Sequence, residues 1–206
     1  MQSFGTNAPS DLGVHLTIGG SGTIAPFIAQ IPFIRSLTLD RASADIGIPP
    51  GADMVVFEDL NILGGIFRSN FDALTVNRHT NIGKGGVLIL DLPVGETGVT
   101  HTLGAAPYTG LATDPTIQNN GHISFRGDLI NGEEQTLVFN AAYLPGTGTL
   151  QSNAMSNLEV YAQYSINMPP SVRELNELVM DIANPATLAL TEVPPPAGSP
   201  AGTPST

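Results

Sequence analysis

The chain has 206 residues, of which 41% are hydrophobic and only 12% charged, and 18 acidic residues against 7 basic ones give a formal net charge of −11. The absence of cysteine excludes disulfides, thiolate metal sites and thiol nucleophiles, and one lysine with six arginines cannot build the cationic stripe that nucleic acid requires, so no specific nucleic-acid binding is expected. The length suits one domain with a single core, and a charge content about half the roughly 25% of ordinary soluble domains suggests a surface largely covered by neighbouring subunits.

In chain order, residues 1–13 read as an N-terminal arm. The opening MQSFGTNAPSDLG lacks the basic start and apolar core of a secretory signal, so export by that route is not expected. The most apolar stretch, Ile24 to Ile34, is interrupted by Pro26 and Pro32 and is too short to span a bilayer. Short β-type runs then alternate with turn residues over 14–167. Strands are predicted near Val14–Ile18, Phe33–Asp40, Met54–Glu58, Ile66–Asn70, Leu74–Asn77, Val87–Leu92, Val99–Leu103, His122–Arg126, Thr136–Ala142 and Leu158–Ile166. Between them lie glycine- and proline-rich segments, GGSG at 19–22, PPG at 49–51, GG at 64–65, GKGG at 83–86, NNG at 119–121 and PGTG at 145–148, which read as reversals.

The clearest period-two pattern is Leu158, Val160, Ala162, Tyr164 and Ile166 opposite Glu159, Gln163, Ser165 and Asn167, and Leu37 and Leu39 alternate in the same sense. Asn131-Gly132 predicts a tight hairpin between antiparallel strands at 122–129 and 136–142. No internal repeat is read. After Pro169-Pro170, the S-x-x-E spacing of Ser171 and Glu174 has the form of a capping box, and Leu175, Leu178, Val179 and Ile182 follow at helical spacing, so a helix is predicted over 171–183 within a 168–185 segment, with Leu175, Leu178 and Ile182 buried. The Pro/Gly-rich segment 186–206 reads as a flexible tail.

Candidate chemistry is sparse. His15, His79, His101 and His122 share no ligand spacing, so neither a metal site nor a histidine-based catalytic centre is expected. Gly83-Lys84-Gly85-Gly86 has the residue types of a phosphate loop without its spacing and is followed by a β run, which makes it a turn. Gly19-Gly20-Ser21-Gly22 lacks the G-x-S-x-G pattern of a nucleophile elbow. Glu58-Asp59 and Glu133-Glu134 could pair carboxylates for glycoside hydrolysis, and a loop such as Asp45 to Asp53 could accept calcium without any EF-hand pattern. Ordinary loop solvation accounts for both. No catalytic, cofactor-binding or metal residue is therefore assigned, and no cofactor is expected.

By strand count, turn richness and composition, residues 14–167 resemble the β jelly-roll capsid proteins of icosahedral viruses and phages, including single-barrel proteins of membrane-containing phages. The resemblance implies an all-β, jelly-roll-like sandwich or barrel with one short C-terminal helix, and a non-enzymatic coat subunit of a virion, made in the host cytoplasm. Its expected partners are further copies of itself and other coat subunits, with contact to an underlying membrane or minor virion proteins. The alternatives are a carbohydrate- or receptor-binding module of spike, fibre or lectin type, with an aromatic patch near Tyr108, Tyr143 or Tyr161, and a β-sandwich hydrolase.

Overall fold

The computed structural model describes residues 13–21, 33–70, 72–107, 109, 111, 113–144, 146–162, 166–182 and 188–190. Strands build two large sheets, and there is no helix among the described residues. One sheet follows the order β1 (His15–Ile18), β3 (Ser36–Gly47), β5 (Leu60–Arg68), β7 (Thr80–Ile89), β10 (His122–Ser124), β13 (Thr149–Gln151), with β9 (Thr116–Asn119) and β12 (Ala142–Leu144) extending from the first half of β7. The other runs β2 (Phe33–Ile34), β4 (Met54–Val56), β6 (Leu74–Val76), β8 (Thr100–Leu103), β11 (Gln135–Phe139), β14 (Ser156–Ala162), β16 (Glu177–Ile182). A small third sheet pairs β15 (Ile166–Met168) with β17 (Leu188–Leu190).

Every pairing between these strands is parallel. This overturns the antiparallel jelly roll expected from the sequence. All-parallel pairing is the strand arrangement of α/β sheets, where a helix makes each crossover. Here the crossover between two neighbouring strands of one sheet passes through a strand of the other: β4 lies in sequence between β3 and β5, and β6 between β5 and β7. The chain therefore winds as a coil of stacked rungs, a parallel β-helix.

The register exposes the repeat that sequence reading did not find. Met54 pairs with Leu74, Leu60 with Thr80 and Ile62 with Ile82, a constant spacing of twenty residues. The two rungs share the pattern Asn-Ile followed by Gly-Gly and two apolar residues, in Asn61-Ile62 with Gly64 to Phe67 and in Asn81-Ile82 with Gly85 to Leu88. A single rung buries its apolar side chains only against the rungs above and below, so stacking and folding are one process.

The core consists of columns of like residues running through the stack. Met54, Leu74, His101, Leu137, Leu158 and Leu178 form one, and Ile34, Val56, Val76, Leu103, Phe139, Val160 and Met180 another. Facing them are Leu37, Leu60, Thr80 and Ile117 from the first half of the larger sheet, and Ile46, Phe67, Leu88, Ile123 and Leu150 from the second. From Ile34 to Val160 these inward positions are all buried.

The glycine pairs expected to mark reversals instead lie inside strands. Gly64-Gly65 sits within β5 and Lys84-Gly85-Gly86 within β7, at the bend dividing each long strand into two faces. There Gly65 adopts φ +86, and a Cβ on Gly86 would collide with the Ile62 carbonyl oxygen of the neighbouring rung.

Over 171–182, the described part of the predicted helix, no helix forms. Glu177–Ile182 forms β16, paired in parallel with β14 from Asn157 to Ala162. The Ser171 hydroxyl accepts a hydrogen bond from Leu150 N–H at 2.9 Å, which ties it to the rung above instead of capping a helix. Leu178 is 41% exposed and Met180 39% exposed, against the expected burial of Leu178. Residues 1–12 of the expected arm and the tail outside Leu188–Leu190 lie outside the described residues.

Candidate functional site

The connections from β7 to β8, from β10 to β11 and from β13 to β14 leave neighbouring strands of one sheet and enter neighbouring strands of the other. They therefore stack on the same flank of the coil. The first two are insertions longer than the third, and the space between them is a depression of about 300 Å³, lined by Asp91, Val94, Arg126, Asp128, Ile130 and Asn153 among others.

Each polar side chain here is held by a specific set of partners. Arg126 Nε and Nη2 donate to Asp91 Oδ2 at 2.9 and 2.6 Å, while Ser124 Oγ and Arg126 N donate to Oδ1 at 2.6 and 2.8 Å. This ion pair, with both guanidinium donors on one carboxylate oxygen, fastens the start of one insertion to the start of the next. Asp128 is nearly fully buried and accepts from Gly95 N at 2.9 Å, Ile130 N at 2.8 Å and Asn131 Nδ2 at 2.6 Å. The Gly95 amide, followed by the Asn131 side chain, holds its carboxyl below the usual aspartate range. Asn153 Nδ2 donates to the Gly127 carbonyl at 2.9 Å, and its Oδ1 accepts from Gly127 N and Met155 N, closing the seam to the third connection.

Asn131-Gly132 does turn the chain, with Gly132 at φ +74 and a single antiparallel bridge between Asp128 and Glu133. The expected hairpin goes no further. The flanking segments belong to different sheets, β10 pairing with β7 and β13, and β11 with β8 and β14.

With its carboxylates and amides engaged internally, the depression offers apolar surface. Val94 is 64%, Leu129 61% and Ile130 77% exposed along its rim. The arrangement can bury an apolar group beside a half-exposed guanidinium. Both of its carboxylates are held by internal partners, Asp91 by Arg126 and Ser124 and Asp128 by backbone amides and Asn131.

The histidines are dispersed. His79 Nδ1 bonds Thr116 Oγ1 at 2.9 Å, His122 Nδ1 bonds Thr149 Oγ1 at 2.6 Å, His15 is exposed on β1, and His101 is sealed in the core. Among the described residues no three His, Asp or Glu side chains are grouped closely enough to hold a metal ion. Glu58 pairs with Arg35 at 2.7 Å, which lowers its pKa, and Glu134 accepts from Asn157 and Asn176. Asp45 pairs with Arg68 at 2.7 Å, and Asp53 accepts from Ala73 N. These carboxylates tie rung to rung. Of the tyrosines, Tyr143 stands on β12 and Tyr161 on β14, in different sheets, and Tyr108 lies outside the described residues.

Sequence reading did not single out Asp91, Arg126 or Asp128. The one local signal was two adjacent apolar residues, Leu129-Ile130, between an aspartate and the Asn-Gly turn, a placement with no packing explanation in a loop. No protein-family model, curated protein or solved structure matches the chain. Fold and site together define a parallel β-helix with an apolar-rimmed flank.

Proposed function

We propose that the chain is a non-enzymatic structural subunit that works by self-association, as a coat or fibre component of a virion does. The observation that carries this reading is the contrast on the flank of the coil: its carboxylates and amides are bound to one another, while Val94, Leu129 and Ile130 are turned outward. The low charge content agrees, because a surface meant to be covered has less need of solvating residues.

Sedimentation velocity on the full chain over a hundredfold concentration range tests the reading. The expected result is a mean mass that rises with concentration, with a melting temperature that rises in parallel because association stabilises only the folded chain. A single monomeric species throughout would refute it.

A further inference from the structure

We infer that the chain stacks head to tail, the C-terminal rung of one copy seating on the N-terminal rung of the next, so that the β-helix continues across the junction. The inference rests on the self-association reading and specifies the surface and polarity of that contact.

Three observations carry it. First, among the described residues, β16 is paired on one side only, by β14, and its other edge presents unpaired backbone groups. Second, the two core columns end at this rung on apolar side chains left partly uncovered, Leu178 following Leu158 and Met180 following Val160 in register. Leu175 packs against the core from the same end. At the opposite end, β1 is the outermost described strand of the larger sheet, and its Leu16 and Ile18 are likewise only partly buried. Each end thus leaves apolar residues partly covered, Leu178 and Met180 of the smaller sheet at the C-terminal rung and Leu16 and Ile18 of the larger sheet at the N-terminal one, while Ile34, which starts the smaller sheet, is buried.

Third, charge decides the polarity. Residues 13–90 hold six acidic and five basic side chains, whereas residues 91–182 hold ten acidic and two basic. Glu174, Glu177 and Asp181 outnumber Arg173 on the C-terminal rung itself, whereas by the N-terminal one Arg35 is balanced by Glu58 and Arg41 follows Asp40, so that end carries no excess of negative charge. Two C-terminal ends would bring like charges together; a C-terminal end against an N-terminal end does not. A contact between unlike ends does not close on itself, so the assembly it generates is open and linear.

Two single variants of the full chain test this, Leu178→Glu at one end and Leu16→Glu at the other, with the double variant His15→Glu/Thr17→Glu as a second N-terminal block that leaves the core untouched. Circular dichroism establishes that each is folded. Each block alone should weaken association by at least about tenfold. A one-to-one mixture of a C-terminal and an N-terminal block should form dimers and nothing larger, since each variant keeps one competent end. If the wild-type chain associates and the end variants associate as it does, the contact lies elsewhere, the flank rim being the next surface, and the head-to-tail inference is overturned while self-association stands. If Leu178→Glu abolishes association and neither N-terminal block affects it, the contact joins two like ends and the polarity is overturned. A wild-type chain that does not associate overturns the self-association reading as well.

Discussion

The imidazole of His101 and the carboxamide of Gln135 meet inside the closed core, on the neighbouring strands β8 and β11. Leu74 N–H donates to His101 Nδ1 at 3.1 Å, which places the ring proton on Nε2. Gln135 accepts from Val99 N at 3.0 Å and donates to the Leu90 carbonyl at 2.6 Å. One polar cluster thereby joins three successive rungs at a position where the column above and below is Leu74 and Leu137.

Burial drives the His101 pKa down from 6.5 to about 4. Between those values the unfolded chain binds a proton that the folded chain refuses, so stability falls as pH drops from about 6.5 toward about 4 and the loss levels off below. The slope from this group approaches about 1.4 kcal/mol per pH unit. Urea unfolding at several pH values, compared between the wild type and His101→Leu, isolates the contribution of the ring. The variant should show a shallower dependence over this window, and identical slopes would mean that His101 titrates normally.

The same substitution has a cost at neutral pH. Leucine fits the column, yet it leaves the Leu74 amide without its acceptor in a dry interior. His101→Leu should therefore lose about 1–3 kcal/mol at pH 7.5, read from the shift in urea midpoint at constant m-value. A variant as stable as wild type would mean that water enters the cluster.

Gly86 is the most constrained position of the bend. Gly86→Ala should destabilise by about 3 kcal/mol, because the carbonyl it would strike belongs to the ladder of the adjacent rung and has no room to withdraw. Gly132→Ala, by contrast, meets no neighbouring atom and strains only its own positive φ, so it should cost about 1 kcal/mol. Parallel denaturation of both variants reads the difference, and equal effects would be inconsistent with tight stacking at the bend.

Asp128 organises two insertions at once through Gly95 and through Ile130 and Asn131. Asp128→Ala should open both loops to proteolysis, with new cleavage in 91–98 and 126–134 and the strands of the coil retained. Because the folded carboxyl lies below its ordinary value, its contribution is present above the unfolded pKa and is lost as pH falls through the lower folded one. Acid exposure should therefore produce the same cleavage pattern in the wild type. Cleavage spread evenly over the chain would contradict a local role.

The strands were legible because inward positions alternate: Leu37 and Leu39, or Leu158 and Val160, read as half-buried strands and are. Their direction was not, since alternation is the same in parallel and antiparallel partners. Only the repeat could have revealed it. Two rungs carry it openly at Asn61-Ile62 and Asn81-Ile82, but insertions at 90–99, 104–115 and 125–134 stretch the later rungs out of period. The false helix has a similar origin. Leu175, Leu178, Val179 and Ile182 fit a period of 3.6, while Leu178 and Met180 fit a period of two, and a run this short satisfies both. The flank was illegible because its key pair, Asp91 and Arg126, lies 35 residues apart and meets only when two rungs stack.

Electron microscopy of the full chain at high concentration examines self-association through the coil ends most directly. The expected images are rods one coil wide that lengthen as concentration rises. Isolated particles of constant size at every concentration would contradict the account.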